Sequence, residues 1–149
     1  MNQDAPLAEV AHVIQLAVAP VFLLTGIGAL LGVLASRLAR TVDRARELEK
    51  RLMTAPPGRA LVIRERLRQQ SKRARLTLGS ISLCIAGALL ISSVIVALFV
   101  GVFAHINLAI VIAIGFVAAL ASLILALLLF LREVYLATRY LRIGEPDPD

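Results

Sequence analysis

The sequence predicts an all-α membrane protein: three transmembrane helices, the first two extended into a cytoplasmic antiparallel helical hairpin. Three observations predict it. Of the 149 residues 59% are hydrophobic and 17% charged, against about 45–50% and about 25% in an average soluble domain. The charge-free stretches are long: residues 13–36 and residues 76–131 hold no Asp, Glu, Lys or Arg. About 18 or more apolar residues cross the ~30 Å hydrocarbon core of a bilayer, so the first stretch supplies one crossing and the second supplies two. The basic residues gather between them. Residues 37–75 carry 13 Lys/Arg against Asp43, Glu47, Glu49 and Glu65, within a chain of net charge +6. A soluble enzyme and a disordered chain are both excluded, and the segment between the spans is too short for a catalytic domain of its own.

Residues 1–12 form the N-terminal flank, with Asp4 and Glu9 and no Lys or Arg. Cytoplasmic flanks collect Lys and Arg, so this flank is expected outside and residues 37–75 inside. No cleaved signal peptide is expected, because the first positive charge is Arg37 and such a peptide needs a basic stretch before its apolar one.

The first span covers residues 13–36. Pro20 leaves two readings of it. A helix running through Pro20 loses one backbone hydrogen bond and kinks; this is the preferred reading. Alternatively, Leu7, Val10, Ala11, Ile14 and Val18 face one side of a short interfacial helix, and Pro20 opens the true span at its first position.

Nothing breaks the helix after Ser36. Residues 37–53 contain no Gly or Pro, and Leu38, Val42, Ala45, Leu48 and Leu52 recur in steps of three and four, a coiled-coil spacing. Ala55-Pro56-Pro57-Gly58 ends this arm. A second arm follows from about Arg59, with Ile63, Leu67, Gln70 and Ala74 as its stripe, and feeds into the second span at residues 76–100. Residues 101–107 form an outer turn, residues 108–131 the third span, and residues 132–149 a cytoplasmic tail with Arg132, Arg139 and Arg142. So short a turn makes the second and third spans antiparallel neighbours.

In lipid, helices associate where small side chains let backbones approach. Gly28, Gly32 and Ser36 lie four residues apart on the first span, Ser93, Ala97 and Gly101 on the second, and Ala118, Ser122 and Ala126 on the third. A three-helix monomer cannot use all three stripes economically, which points to a homo-oligomer packed through Gly28, Gly32 and Ser36. Most hydroxyls in the spans are expected to bond back to their own helices. Gln15 is costly against lipid; it and Thr25 are candidate pore-lining residues. Arg37, Arg40, Arg44 and Arg46 are candidates either for a basic vestibule or for holding anionic lipid headgroups at the cytoplasmic face. Glu47 has Arg44 and Arg51 at pairing distance along the helix.

Nucleic acid is not an expected partner, since no aromatic residue lies among the arginines to stack bases. No charged residue falls within a span, which argues against a proton-coupled pump. Zinc-hydrolase, nucleophile-elbow and Walker patterns are missing from the sequence. Two His and one Cys do not make a metal site. No cofactor and no enzymatic activity are expected.

The stretch Ile14–Gly32, with Ala19-Pro20 near the start of the span, followed by Ser36-Arg37-Leu38-Ala39-Arg40-Thr41-Val42-Asp43-Arg44-Ala45-Arg46, resembles a bacterial membrane-protein family, domain of unknown function 2721. The shared features are Ala19-Pro20 near the start of span one, an Arg-Leu-x-Arg…Asp-Arg-x-Arg run after it, and three spans. Gly32 departs from the family, where Asn is expected in many members. The resemblance implies a bacterial inner-membrane protein and supplies no activity.

Two functions are compatible with these features. The preferred one is a homo-oligomeric ion channel or pore with a basic cytoplasmic vestibule. The alternative is a non-catalytic accessory or scaffold subunit of a larger membrane complex. Copy number separates them.

Overall fold

A computed structural model describes the backbone of residues 4–139 and the side chains of residues 9–135. The described residues form three α-helices and no strand: α1 is Asp4–Thr54, α2 is Pro57–Phe103 and α3 is Ala109–Arg139. Each contains a stretch long and apolar enough to cross a membrane, with mean hydropathy of 2.3, 2.8 and 2.9 in turn. The protein is a multi-pass membrane protein.

Helix α1 passes through Pro20 without interruption, so Pro20 does not open a separate helix. The helices also run unbroken through Ser36–Arg37 and through Arg75–Leu76. Between α1 and α2 only Ala55 and Pro56 are non-helical. The Pro56 carbonyl accepts hydrogen bonds from the N–H groups of Arg59 (3.0 Å) and Ala60 (3.1 Å), capping α2. Pro57 takes the first helical position, where its missing N–H costs nothing.

The link from α2 to α3 is closed by two caps. The Ile106 N–H donates to the Gly101 carbonyl (3.0 Å) and the His105 N–H to the Val102 carbonyl (3.3 Å), with His105 at a φ of 52°. This is the pattern in which a left-handed residue ends a helix, a place usually held by glycine. Gly101 is confined here, because a Cβ on it would lie 3.3 Å from the Ile106 carbonyl oxygen. Asn107 then caps α3: its Oδ1 accepts from the Ala109 N–H at 3.1 Å, satisfying one of the free donors at a helix start.

The chain divides into two compact units: Met1–Gly32 with Leu83–Ile124, and Val33–Ser82 with Leu125–Asp149. In the first, Val13, Ala17 and Ile27 of α1, Cys84, Ile91 and Val94 of α2, and Ala119 and Ser122 of α3 are buried. Small residues bring α2 and α3 together. A Cβ on Gly87 would sit 3.4 Å from the Ala119 carbonyl oxygen, and one on Gly115 would be 2.9 Å from Val94 Cγ2. The Ser122 hydroxyl donates across to the Leu83 carbonyl at 2.9 Å. It departs from the expected back-bonding, which Ser80, Ser92, Ser93 and Thr25 follow, each to the carbonyl four residues earlier. Large apolar side chains such as Phe22, Leu89, Ile110 and Val117 point outward. Small and polar groups inside with bulky apolar ones outside is the packing of helices in lipid, where the hydrophobic effect offers nothing for burying Leu or Phe.

In the second unit Leu34, Thr77, Ser80, Ala126 and Glu133 are buried. On α1 the inward stripe runs Leu38, Thr41, Ala45, Leu48 and Leu52, all half-buried, while Val42 is exposed. The expected position Val42 is thus displaced by Thr41, whose hydroxyl bonds to the Arg37 carbonyl (3.0 Å) and so needs no outside partner. On α2 the stripe is Ile63, Leu67, Gln70 and Ala74, all half-buried as the spacing predicts.

Candidate functional site

The second unit contains a carboxylate that sequence reasoning overlooked. Glu133 lies two residues beyond the charge-free run 76–131 and is 2% exposed. Isolated, an ionised group there would be costly, and burial requires pairing. One arginine from each of the other two helices supplies it. Arg73 of α2 donates from Nε (3.3 Å) and Nη2 (3.1 Å) to Glu133 Oε1. Arg37 of α1 places Nη2 3.5 Å from Oε2 and its guanidinium 5.1 Å above the Phe130 ring, a cation–π contact. The two arginine side chains are 28% and 26% exposed, so they reach from the interior to the edge.

Helical spacing puts Glu133 there. Ala126 and Glu133 are seven residues apart, two turns of helix, and both are buried on α3. The carboxylate continues the face that packs the helix. The available signal was a single acid directly following an apolar span on the register of its small residues; counted as part of a tail, it looked like one acid among four.

Around this triad is a cavity of about 230 Å³ lined by Arg37, Arg40, Thr41, Arg44, Gln70, Arg73 and Glu133. Four guanidinium groups face one carboxylate there, leaving three net positive charges. Arg40 and Arg44 are exposed and form no ion pair among the described residues. Gln70 Oε1 is buried with no hydrogen-bond partner, and Glu133 Oε2 accepts no hydrogen bond beyond its long contact with Arg37. Arg46 is exposed and does not line the cavity. Farther along α1, Glu47 takes Arg51 as its partner at 3.0 Å.

None of the first-span candidates lines this cavity. Gln15, Thr25, Gly28, Gly32 and Ser36 are all exposed on the single chain. A Cβ on Gly28 or Gly32 would meet nothing within 4 Å, so neither glycine packs against another helix among the described residues. The stripe on α3 behaves differently: Ser122 and Ala126 are buried, and Ala118 is exposed, its place taken by Ala119. On α2, Ser93 is exposed and Ala97 and Gly101 are half-buried.

A family model described as Protein of unknown function (DUF2721) matches residues 17–143. The chain belongs to this family. The DUF2721 match takes in Arg37, Arg73 and Glu133, the first apolar span from residue 17 onward and the whole of the other two. No curated protein and no solved structure matches the chain.

Proposed function

We propose that the protein is a homo-oligomeric ion-conducting assembly of the bacterial inner membrane. The N-terminus lies outside, the C-terminus lies inside, and residues 37–75 form a cytoplasmic antiparallel hairpin. The observation that carries self-association is the empty space beside Gly28 and Gly32 on the exposed side of α1. Glycine weakens a helix interior and is useful in lipid where another backbone comes close. No other described part of the chain does so here, and a second copy would.

Seventeen residues separate Gln15 from Gly32, which at roughly 100° per residue sets them about 100° apart around the helix. A helix in a ring needs such a division, with one side against its neighbour and another toward the axis. An outward amide supports a polar path on that side. Arg40 and Arg44, without acidic partners among the described residues, supply a basic cytoplasmic mouth that favours anions and draws anionic headgroups.

The test is native mass determination of the parent, of Gly32→Leu and of Leu125→Phe, an exposed site on α3. Gly32→Leu should shift the protein to smaller species, and Leu125→Phe should not. Gln15→Leu should change ion flux in reconstituted vesicles while the oligomer persists. An oligomer indifferent to Gly32→Leu would overturn assembly through this face. An intact oligomer that passes no ion at any voltage would move the protein to an accessory role in a larger complex.

A further inference from the structure

We infer that the cavity between Arg37, Arg40, Arg44, Arg73 and Glu133 is a stoichiometric binding site for a phosphate group. It sharpens the headgroup reading above from a diffuse basic belt to one built site, and it does not depend on self-association.

Glu133 is the foundation. Both its oxygens are turned to arginines, one taking two hydrogen bonds from Arg73 and the other lying 3.5 Å from Arg37. This fixes two guanidinium groups side by side without neutralising the second pair. Arg40 and Arg44 complete the lining with no ion-pair partner among the described residues. Guanidinium groups hold phosphate oxygens through paired N–H donors, and a fixed pair loses less freedom on binding than two loose side chains. The volume, about 230 Å³ against ~30 Å³ for a water in the liquid, admits a phosphate ester with some of its hydration.

Gln70 is the second, independent sign. A buried amide oxygen without a partner calls for an explanation in a ligand or water; Gln70 is one of the residues that line the cavity, and its Oε1 has no hydrogen-bond partner among the described residues. A half-turn of the amide, which exchanges oxygen and nitrogen, aims an N–H₂ donor at the same point. That suits an oxyanion.

The site lies at the sequence boundary between apolar and charged chain: Arg37 follows the charge-free run 13–36, and Glu133 follows 76–131 by two residues. The phosphate could come from an anionic phospholipid headgroup or from free phosphate. Two arms distinguish the sources. In one, the full-length protein in nanodiscs is titrated with phosphatidylglycerol against a phosphatidylcholine background. In the other, the protein in neutral detergent is titrated with inorganic phosphate. Bound copies are counted by native mass spectrometry.

Two variants are compared. Arg40→Ala/Arg44→Ala removes two cavity charges. Arg64→Ala/Arg68→Ala removes two exposed charges from the same basic segment, neither of which lines the cavity. The expected result is one retained phosphate-bearing ligand in the parent, with affinity roughly tenfold lower in the first variant than in the second. Retention in the lipid arm alone identifies a headgroup, and retention in both arms identifies a general phosphate site. Equal losses in the two variants would overturn the site and leave only the diffuse attraction. Anionic lipid and phosphate unretained by any form would overturn both.

Discussion

Arg73 and Glu133, sixty residues apart in the chain, meet through two hydrogen bonds, Nε and Nη2 of the guanidinium both donating to Oε1. Glu133 also faces Arg37, so one carboxylate links all three helices in the second unit. Removing one member of a buried ion pair leaves the others uncompensated and costs about 3 kcal/mol or more. Glu133→Gln should lower the thermal midpoint in detergent by several degrees. Replacing Arg37, Arg73 and Glu133 together with Met should recover much of that loss, since an apolar cluster of similar volume is often as stable as the ionic one. A Glu133→Gln protein melting with the parent would mean that the triad contributes nothing to holding the helices.

Packing between α2 and α3 makes a sharper steric forecast. The space beside Gly115 is closed by Val94 Cγ2, 2.9 Å from where a Cβ would stand. Valine has little rotamer freedom in a helix, so Gly115→Ala should destabilise by about 1–3 kcal/mol through overpacking. Val94→Ala in the same chain should relieve it. Two single changes whose costs simply add in a double-mutant cycle would show that these helices do not touch there.

The turn after α2 depends on a left-handed residue that is not glycine. His105→Gly should be tolerated. His105→Val should cost on the order of 1–2 kcal/mol, because a β-branched side chain is crowded at positive φ. Hydrogen exchange of the Ile106 amide, which closes the cap on Gly101, reports the difference directly. Equal protection in the two variants would remove the cap from the account of this turn.

Orientation is tested at Gly58, exposed near the start of α2 with open space beside its Cα. A Gly58→Cys variant in a Cys84→Ala background should react with a membrane-impermeant maleimide in inverted vesicles and stay unreacted in intact cells. Labelling in intact cells would reverse the topology read from the basic segment.

Helix existence and helix ends were legible in the residues because both are local. Two long uncharged runs and the Pro56-Pro57 pair carry their meaning in adjacent positions. Family membership was legible for a related reason: the residues from Ala19 to Arg46 form a recognisable run, and the family match covers 17–143. Which face of each apolar span turns inward was not legible. Along a span every side is apolar, so hydropathy has no period to read, and small residues recur on several sides at once. Only the tertiary structure exchanged Ala118 for Ala119 and Val42 for Thr41 on the inner faces, and buried Glu133. Those choices depend on what another helix presents at the same level. Arg37 and Arg73 are 96 and 60 residues from Glu133 in sequence, and the carboxylate becomes a foundation only when both reach it.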